Sequence, residues 1–88
     1  MYLIDSGADV SLSKHSIVKI LSGIVVPEQT LRAFMGLGTT IVHGIGTCEL
    51  LVVLPTVTLE IAFVVAPDEV IPGKIDLIIG WDVISRPN

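Results

Sequence analysis

Short apolar runs that end at glycine or proline constrain the fold of this chain more than any other feature. Residues 47–54 and 57–66 are rich in Val, Ile, Leu and Thr, and Pro55 separates the two runs. Glycines divide residues 36–46 in a similar way. Short runs of β-branched residues between turn residues are typical of strands. We therefore predict an all-β (mainly β) chain that forms a small closed barrel or sandwich.

Helical spacing of apolar side chains is confined to short segments. Residues 15–21 predict a short helix, with Ser13 or Ser16 as its N-cap. Residues 81–84 predict one further helical turn. Before the first helix, residues 10–13 alternate apolar and polar side chains, which predicts a half-buried strand.

The middle of the chain has the pattern of a β-hairpin. Residues 31–35 and 39–43 are two extended arms around a glycine-containing tip. Residues 27–28 and 68–69 are predicted to be loops, the second of them simply solvated. Residues 75–80 predict an apolar strand that runs into a glycine.

Size and composition predict one domain, residues 1–88, with a surplus of apolar side chains. Hydrophobic residues make up 51% of the chain and charged residues only 16%. So small a domain has much surface for its volume, and we expect part of its apolar surface to face a second copy. The first strand begins at residue 1 and the chain stops soon after the terminal helical turn, so we expect the domain to be truncated at both ends.

Charge and cysteine usage narrow the class of function. The net charge is −4, and the 5 Lys and Arg residues are scattered, so we expect no nucleic-acid partner. Residues 33–48 lack Asp, Glu, Lys and Arg but contain four glycines, which makes them a poor membrane span. The single cysteine, Cys48, is compatible with a reducing, cytoplasmic compartment and is expected to be a structural strand residue.

The motif Asp5-Ser6-Gly7 directly follows the apolar run at residues 1–4. It places a carboxylate at the end of a short strand, beside a hydroxyl and a glycine at which the backbone can turn sharply. An isolated Asp-Ser-Gly is most often a turn, because Asp and Ser hydrogen-bond their own backbone. The features that accompany the motif therefore decide its meaning.

Two motifs, one near each end of the chain, stand on either side of the hairpin. Residues 3–8 read Leu-Ile-Asp-Ser-Gly-Ala, and residues 77–84 read Leu-Ile-Ile-Gly-Trp-Asp-Val-Ile. In this order they resemble the signatures of the retropepsin family, the aspartic proteases of retroviruses and long-terminal-repeat retrotransposons and their domesticated cellular relatives. The resemblance covers nearly the whole chain and implies a retropepsin-like protomer with a flap hairpin.

The resemblance also implies a role for each matching residue. Asp5 would be the catalytic carboxylate. Ser6, Gly7 and Ala8 would support the active loop, with the Ser6 hydroxyl bonding across a dimer axis. The implied substrate-binding residues are Gly7, Asp9, the flap residues Gly36, Leu37 and Gly38, and Ile79 as part of an apolar specificity pocket.

An aspartic protease needs two carboxylates, and this chain carries the motif once. Two facing carboxylates share a proton and titrate as a coupled pair. One takes a proton from the attacking water, and the other donates to the developing oxyanion. The resemblance therefore implies a symmetric homodimer that cuts an extended segment of a retroelement polyprotein, bound as an added strand. It implies no metal or other cofactor, and a location in the cytoplasm or in retroelement particles.

Two other interpretations remain open. The chain could be a catalytically weak or inactive retropepsin-like module for dimerisation or peptide binding, or an all-β domain with a chance Asp-Ser-Gly. His15, His43 and Cys48 have no metal-ligand spacing, so we expect no metal site. Asp82 is expected to cap the terminal turn or to hydrogen-bond within it.

Overall fold

The computed structural model describes residues 1–28, 31–35 and 40–87, and it gives only the backbone for residues 34, 35 and 40. The described strands are β1 (Tyr2–Ile4), β2 (Leu12–Lys14), β3 (Val26–Pro27), β4 (Arg32–Met35), β5 (Thr40–His43), β6 (Gly46–Val53), β7 (Thr58–Ala66) and β8 (Leu77–Ile79). The helices are α1 (His15–Ile20), α2 (Trp81–Ile84) and a 3₁₀ turn at Asp68–Val70. Within this part of the chain, no helix has the length and apolar character that crossing a membrane requires.

The main sheet has six strands in the order β1-β8-β2-β7-β6-β3. β8, from the end of the chain, lies between the first two strands. It pairs in parallel with β1, where Ile79 lies opposite Ile4, and antiparallel with β2, where Ile78 lies opposite Leu12. The loop from Asp5 to Ser11 therefore has to cross the end of β8, which brings the two sequence motifs together.

The mainly β class is confirmed, whereas the predicted closed barrel is not found in the described residues. Their six-stranded sheet is open, with β1 and β3 at its two edges. β1 has three residues and β3 has two, and in the described part of the chain each is paired on one side. The hairpin β4–β5 forms a separate two-stranded sheet.

The core lies on both sides of β7. On one side, Ala33 and Val42 of the hairpin pack in one cluster with Val64 of β7 and Leu12 of β2. On the other side, the core residues are Ile61, Phe63, Ile79 and Val83 in one cluster and Val18, Cys48 and Val65 in a second. The hairpin and the two helices are thus fixed to the sheet by apolar packing.

The half-buried strand predicted for residues 10–13 is wrong in its burial. Ser11, Leu12 and Ser13 are all fully buried. β2 is paired along both of its edges, with β8 and with β7, while Leu12 packs in the same core cluster as the hairpin and Ser11 contacts Asp82 of α2. The buried hydroxyls are satisfied, because Ser11 binds Asp82 and Ser13 donates to the adjacent Lys14 carbonyl. Alternation of polar residues therefore did not mark a solvent-facing side.

Helix α1 confirms the predicted helix, but neither predicted serine is its N-cap. Lys14 occupies the N-cap position and makes no side-chain cap. The Ser16 amide instead donates to Asp68 Oδ1 at 3.0 Å. Asp68 lies in the 3₁₀ turn, in the segment predicted above to be a solvated loop. Its carboxylate is exposed, yet it accepts a hydrogen bond from an amide in the first turn of α1, 52 positions away in the sequence.

The predicted hairpin is confirmed in its arms. β4 and β5 pair antiparallel, with Arg32 opposite His43 and Ala33 opposite Val42. The tip residues Gly36, Leu37 and Gly38 lie outside the described residues. The loop predicted at residues 27–28 is wrong at Pro27, because this residue belongs to β3 and lies opposite Gly46.

Candidate functional site

Asp5 lies immediately after β1, and three hydrogen bonds fix it in place. Its amide donates to the Ile79 carbonyl at 2.9 Å, which extends the pairing of β1 with β8. Its own carbonyl accepts from the Ala8 amide at 3.1 Å. Its side-chain Oδ1 accepts from the Gly7 amide at 2.9 Å. The carboxylate is therefore held by a tight loop at the end of a paired strand, in a half-buried position.

The other residues of the first motif point in different directions. Ser6, Gly7 and Asp9 are exposed, whereas Ala8 is fully buried. The Ala8 carbonyl accepts from the Trp81 amide at 2.7 Å. The loop is thus anchored at Ala8 and presents Ser6 and Asp9 outward, on the same turn as the Asp5 carboxylate.

Ile79 and the hairpin tip complete the list of predicted site residues. The Ile79 carbonyl binds Asp5, but the Ile79 side chain lies in the core against Ile61, Phe63 and Val83. Its main chain therefore belongs to the Asp5 site, while its side chain packs beneath the site. The tip residues, including Gly36, lie outside the described residues.

The junction between β8 and α2 packs directly against the Asp5 loop. The Gly80 amide donates to Ser11 Oγ at 3.0 Å, and the Ser11 hydroxyl donates to Asp82 Oδ1 at 2.8 Å. A Cβ on Gly80 would lie 2.4 Å from the Val10 carbonyl oxygen and 2.9 Å from that of Ala8. Only a residue without a side chain fits here, because those atoms are backbone.

Ser11 is not among the site residues predicted from the sequence, and the partner predicted for Asp82 is wrong. Asp82 bonds to Ser11, which is 71 residues earlier in the chain, instead of to a group of its own terminal turn. One signal for Ser11 was available in the sequence: a serine among apolar residues directly after the Asp-Ser-Gly-Ala motif. Its partner was not predictable from local pattern, because the contact depends on β8 entering the sheet beside β2.

The residues considered as metal ligands are distributed over different elements. His15 begins α1, His43 ends β5, and Cys48 is buried on β6. Across residues 1–28, 31–35 and 40–87 no cluster of three or more potential metal ligands is found. Cys48 packs in the core with Val18 and Val65, which confirms the prediction of a structural strand residue, and burial raises the pKa of its thiol.

Two exposed carboxylates have shifted pKa values, and both belong to elements other than the Asp5 loop. Hydrogen bonds from the Ser16 side chain and amide lower the pKa of Asp68. A hydrogen bond with the Glu60 side chain, together with the Glu60 charge, raises the pKa of Glu49. Glu49 and Glu60 lie on adjacent strands, β6 and β7, and both side chains are exposed.

Comparison of the chain with protein-family models, with curated proteins and with solved structures found no match in any of the three. The Asp5 loop and the β8–α2 junction are therefore the features from which a function can be inferred.

Proposed function

We propose that the chain is one protomer of a homodimeric aspartic endopeptidase of retropepsin type, which hydrolyses peptide bonds of a retroelement polyprotein. The observation that carries this proposal is the way in which Asp5 is held. Main-chain bonds to Ile79 and Ala8 fix the residue on both sides, and the Gly7 amide binds one carboxylate oxygen. Catalysis by a carboxylate pair needs this kind of rigid placement, because two acids must face each other at close range.

The mechanism needs two copies of Asp5, one from each protomer. Facing carboxylates cannot both ionise easily, so one keeps a proton. The ionised Asp5 takes a proton from a water molecule, and that water attacks the scissile carbonyl. The protonated Asp5 of the other protomer donates to the carbonyl oxygen. Transfer of a proton to the leaving amine then completes the cleavage of the peptide bond.

The surface around Asp5 supports association of two copies. β1 ends at Ile4, directly before Asp5, and is an edge strand, with its side away from β8 unpaired in the described sheet. Tyr2, Leu3 and Ile4 are 47%, 41% and 61% exposed. An apolar edge strand of this kind favours pairing with a second chain. Such pairing beside Asp5 would bring two Asp5 loops close to each other.

The substrate would be an extended polypeptide that lies between the Asp5 loop and the β4–β5 hairpin. The hairpin packs on the core through Ala33 and Val42, and these contacts anchor its two arms to the main sheet. The exposed Ser6 and Asp9 would flank the catalytic carboxylate, Ser6 towards the dimer axis and Asp9 towards the substrate main chain. The enzyme would act in the cytoplasm or in retroelement particles.

Peptide hydrolysis by Asp5→Asn tests this function most directly. A peptide library would be incubated with wild type and variant at mildly acid pH, where one carboxylate of a pair is protonated. We expect Asp5→Asn to lower kcat/KM by about 100- to 10,000-fold, the range typical of a lost acid–base group. Glu69→Gln is the matched control, because it removes a carboxylate far from Asp5 along the chain, in the 3₁₀ turn, and we expect it to keep wild-type activity.

Sedimentation of the same samples separates the two candidate functions. Hydrolysis by the dimer and its loss in Asp5→Asn would support the endopeptidase. Equal hydrolysis by wild type and Asp5→Asn would contradict the role of Asp5. A stable dimer that binds peptides and cleaves none would favour the alternative, a dimerisation or peptide-binding module, for which the exposed apolar edge β1 is the supporting observation.

A further inference from the structure

Residues 79 and 80 are held from two sides by the loop that carries Asp5. The Ile79 carbonyl accepts from the Asp5 amide at 2.9 Å, on the β1 side of β8. The next group of the chain, the Gly80 amide, donates to Ser11 Oγ at 3.0 Å, on the β2 side. Asp5 and Ser11 therefore bind consecutive main-chain groups, and a shift of Gly80 would be transmitted to the Asp5 amide through one peptide unit.

The Ser11 hydroxyl takes part in these contacts both as donor and as acceptor. Its hydrogen is donated to Asp82 Oδ1 at 2.8 Å, so its oxygen is left to accept from Gly80. Ser11 and Gly80 are both buried. Without the hydroxyl, the Gly80 amide would lose its partner at a position where water does not replace it easily.

We propose that Ser11 is a positioning residue of the Asp5 site, with Asp82 as the group that orients its hydroxyl. The expected effect of Ser11 on kcat rests on the proposed endopeptidase function, whereas its effect on the position of the Asp5 loop does not. Ser11 acts through Gly80 and Ile79 on the main chain of Asp5. It thereby holds the carboxylate in the geometry that a pair of acids requires.

Ser11→Ala tests the proposal, and Ser13→Ala is its matched control. Both serines are fully buried and belong to the same short segment, but the contact of the Ser13 hydroxyl among the described residues is with the neighbouring Lys14 carbonyl, to which it donates. At a temperature where both variants are folded, we expect Ser11→Ala to lower kcat about 10- to 100-fold with KM changed less than about threefold. Ser13→Ala should keep kcat within about threefold of wild type.

Variants of Asp82 provide a second comparison. Asp82→Asn keeps an oxygen that can accept from the Ser11 hydroxyl, so we expect it to retain most of the activity. Asp82→Leu removes the acceptor, and kcat should fall in the same direction as in Ser11→Ala. Where Ser11→Ala does not fold, these two variants carry the test, because Asp82 is only half-buried. Equal kcat in Asp82→Asn and Asp82→Leu would overturn the orienting role of Asp82.

Amide hydrogen exchange gives a measurement that does not depend on activity. In Ser11→Ala we expect the Asp5 and Gly80 amides to exchange at least about tenfold faster, while amides of β6 and β7 keep their protection. Unchanged protection at Asp5, or an equal loss in Ser13→Ala, would overturn the positioning role. If the wild-type dimer hydrolyses no peptide, the proposed function fails, and exchange at Asp5 still decides whether Ser11 holds the loop.

Discussion

Gly80→Ala is a substitution for which the structure predicts a large local effect at the candidate site. A Cβ at this position would lie 2.4 Å from the Val10 carbonyl oxygen, 2.6 Å from the Val10 carbonyl carbon and 2.9 Å from the Ala8 carbonyl oxygen. These distances are well inside van der Waals contact, and the atoms are backbone, so rotation of a side chain cannot relieve the clash. The β8–α2 junction and the Asp5 loop must move apart.

The loss of unfolding free energy in Gly80→Ala follows from the two hydrogen bonds that join the β8–α2 junction to the Asp5 loop. Separation weakens the bond from the Trp81 amide to the Ala8 carbonyl, now 2.7 Å, and the bond from the Gly80 amide to Ser11, now 3.0 Å. A buried group left without its partner costs about 1–3 kcal/mol. Alanine also restricts the unfolded chain more than glycine does, and this raises the free energy of unfolding by about 0.4–1 kcal/mol. For the two bonds together, the net loss of unfolding free energy is therefore about 1–6 kcal/mol.

Urea unfolding of wild type, Gly80→Ala and Gly73→Ala would test this value. Gly73 is the matched control, because a Cβ there meets no atom within 4 Å and only its positive φ of 64° opposes alanine. That conformation costs about 1–2 kcal/mol. A chain of 88 residues has a total stability of about 4–13 kcal/mol, so the Gly80 loss is large. A loss at Gly80 no greater than at Gly73 would refute the close-contact argument.

Two further predictions concern pH. The pKa of Asp68 is lowered by Ser16, so its charged form stabilises the folded chain above the unfolded pKa, and this contribution is lost as pH falls. Asp68→Ala should lower Tm at pH 7, and its difference from wild type should shrink below about pH 4. The pKa of Glu49 is raised by Glu60, so the folded chain loses stability as pH rises through that value. Glu49→Gln should therefore raise Tm at pH 7, with no gain in acid.

Thermal melting at pH 7 and pH 3 measures both effects. Glu69→Gln controls for a general change in net charge, because it removes one negative charge from the residue next to Asp68. A constant difference between Asp68→Ala and wild type at the two pH values would contradict the capping role. A Tm for Glu49→Gln at or below that of wild type at pH 7 would contradict the repulsion between Glu49 and Glu60.

Much of the fold was predictable because its signals are local. The hairpin arms, the long strands β6 and β7 and the terminal helical turn follow from β-branched runs, glycines and helical spacing within a few residues. Predictions that needed a distant partner were the ones that failed. The sequence pattern places Ser11 and Ser13 on the solvent side of a strand, but β2 lies inside the sheet and both serines are fully buried. The cap of α1 comes from Asp68, which no local pattern connects with Ser16.

In the candidate site, too, the local features were predictable from the sequence and the contacts between distant residues were not. The sequence alone determined that Asp5 follows a short apolar strand and that a glycine follows a second one, because strand and turn propensities act between neighbours. Only the tertiary structure decided that β8 lies between β1 and β2, which places Gly80 against Ala8 and Val10 and gives Ser11 and Asp82 their contact. Pairing between strands depends on which buried main-chain and polar groups can satisfy one another, and groups some 70 positions apart have no shared local pattern.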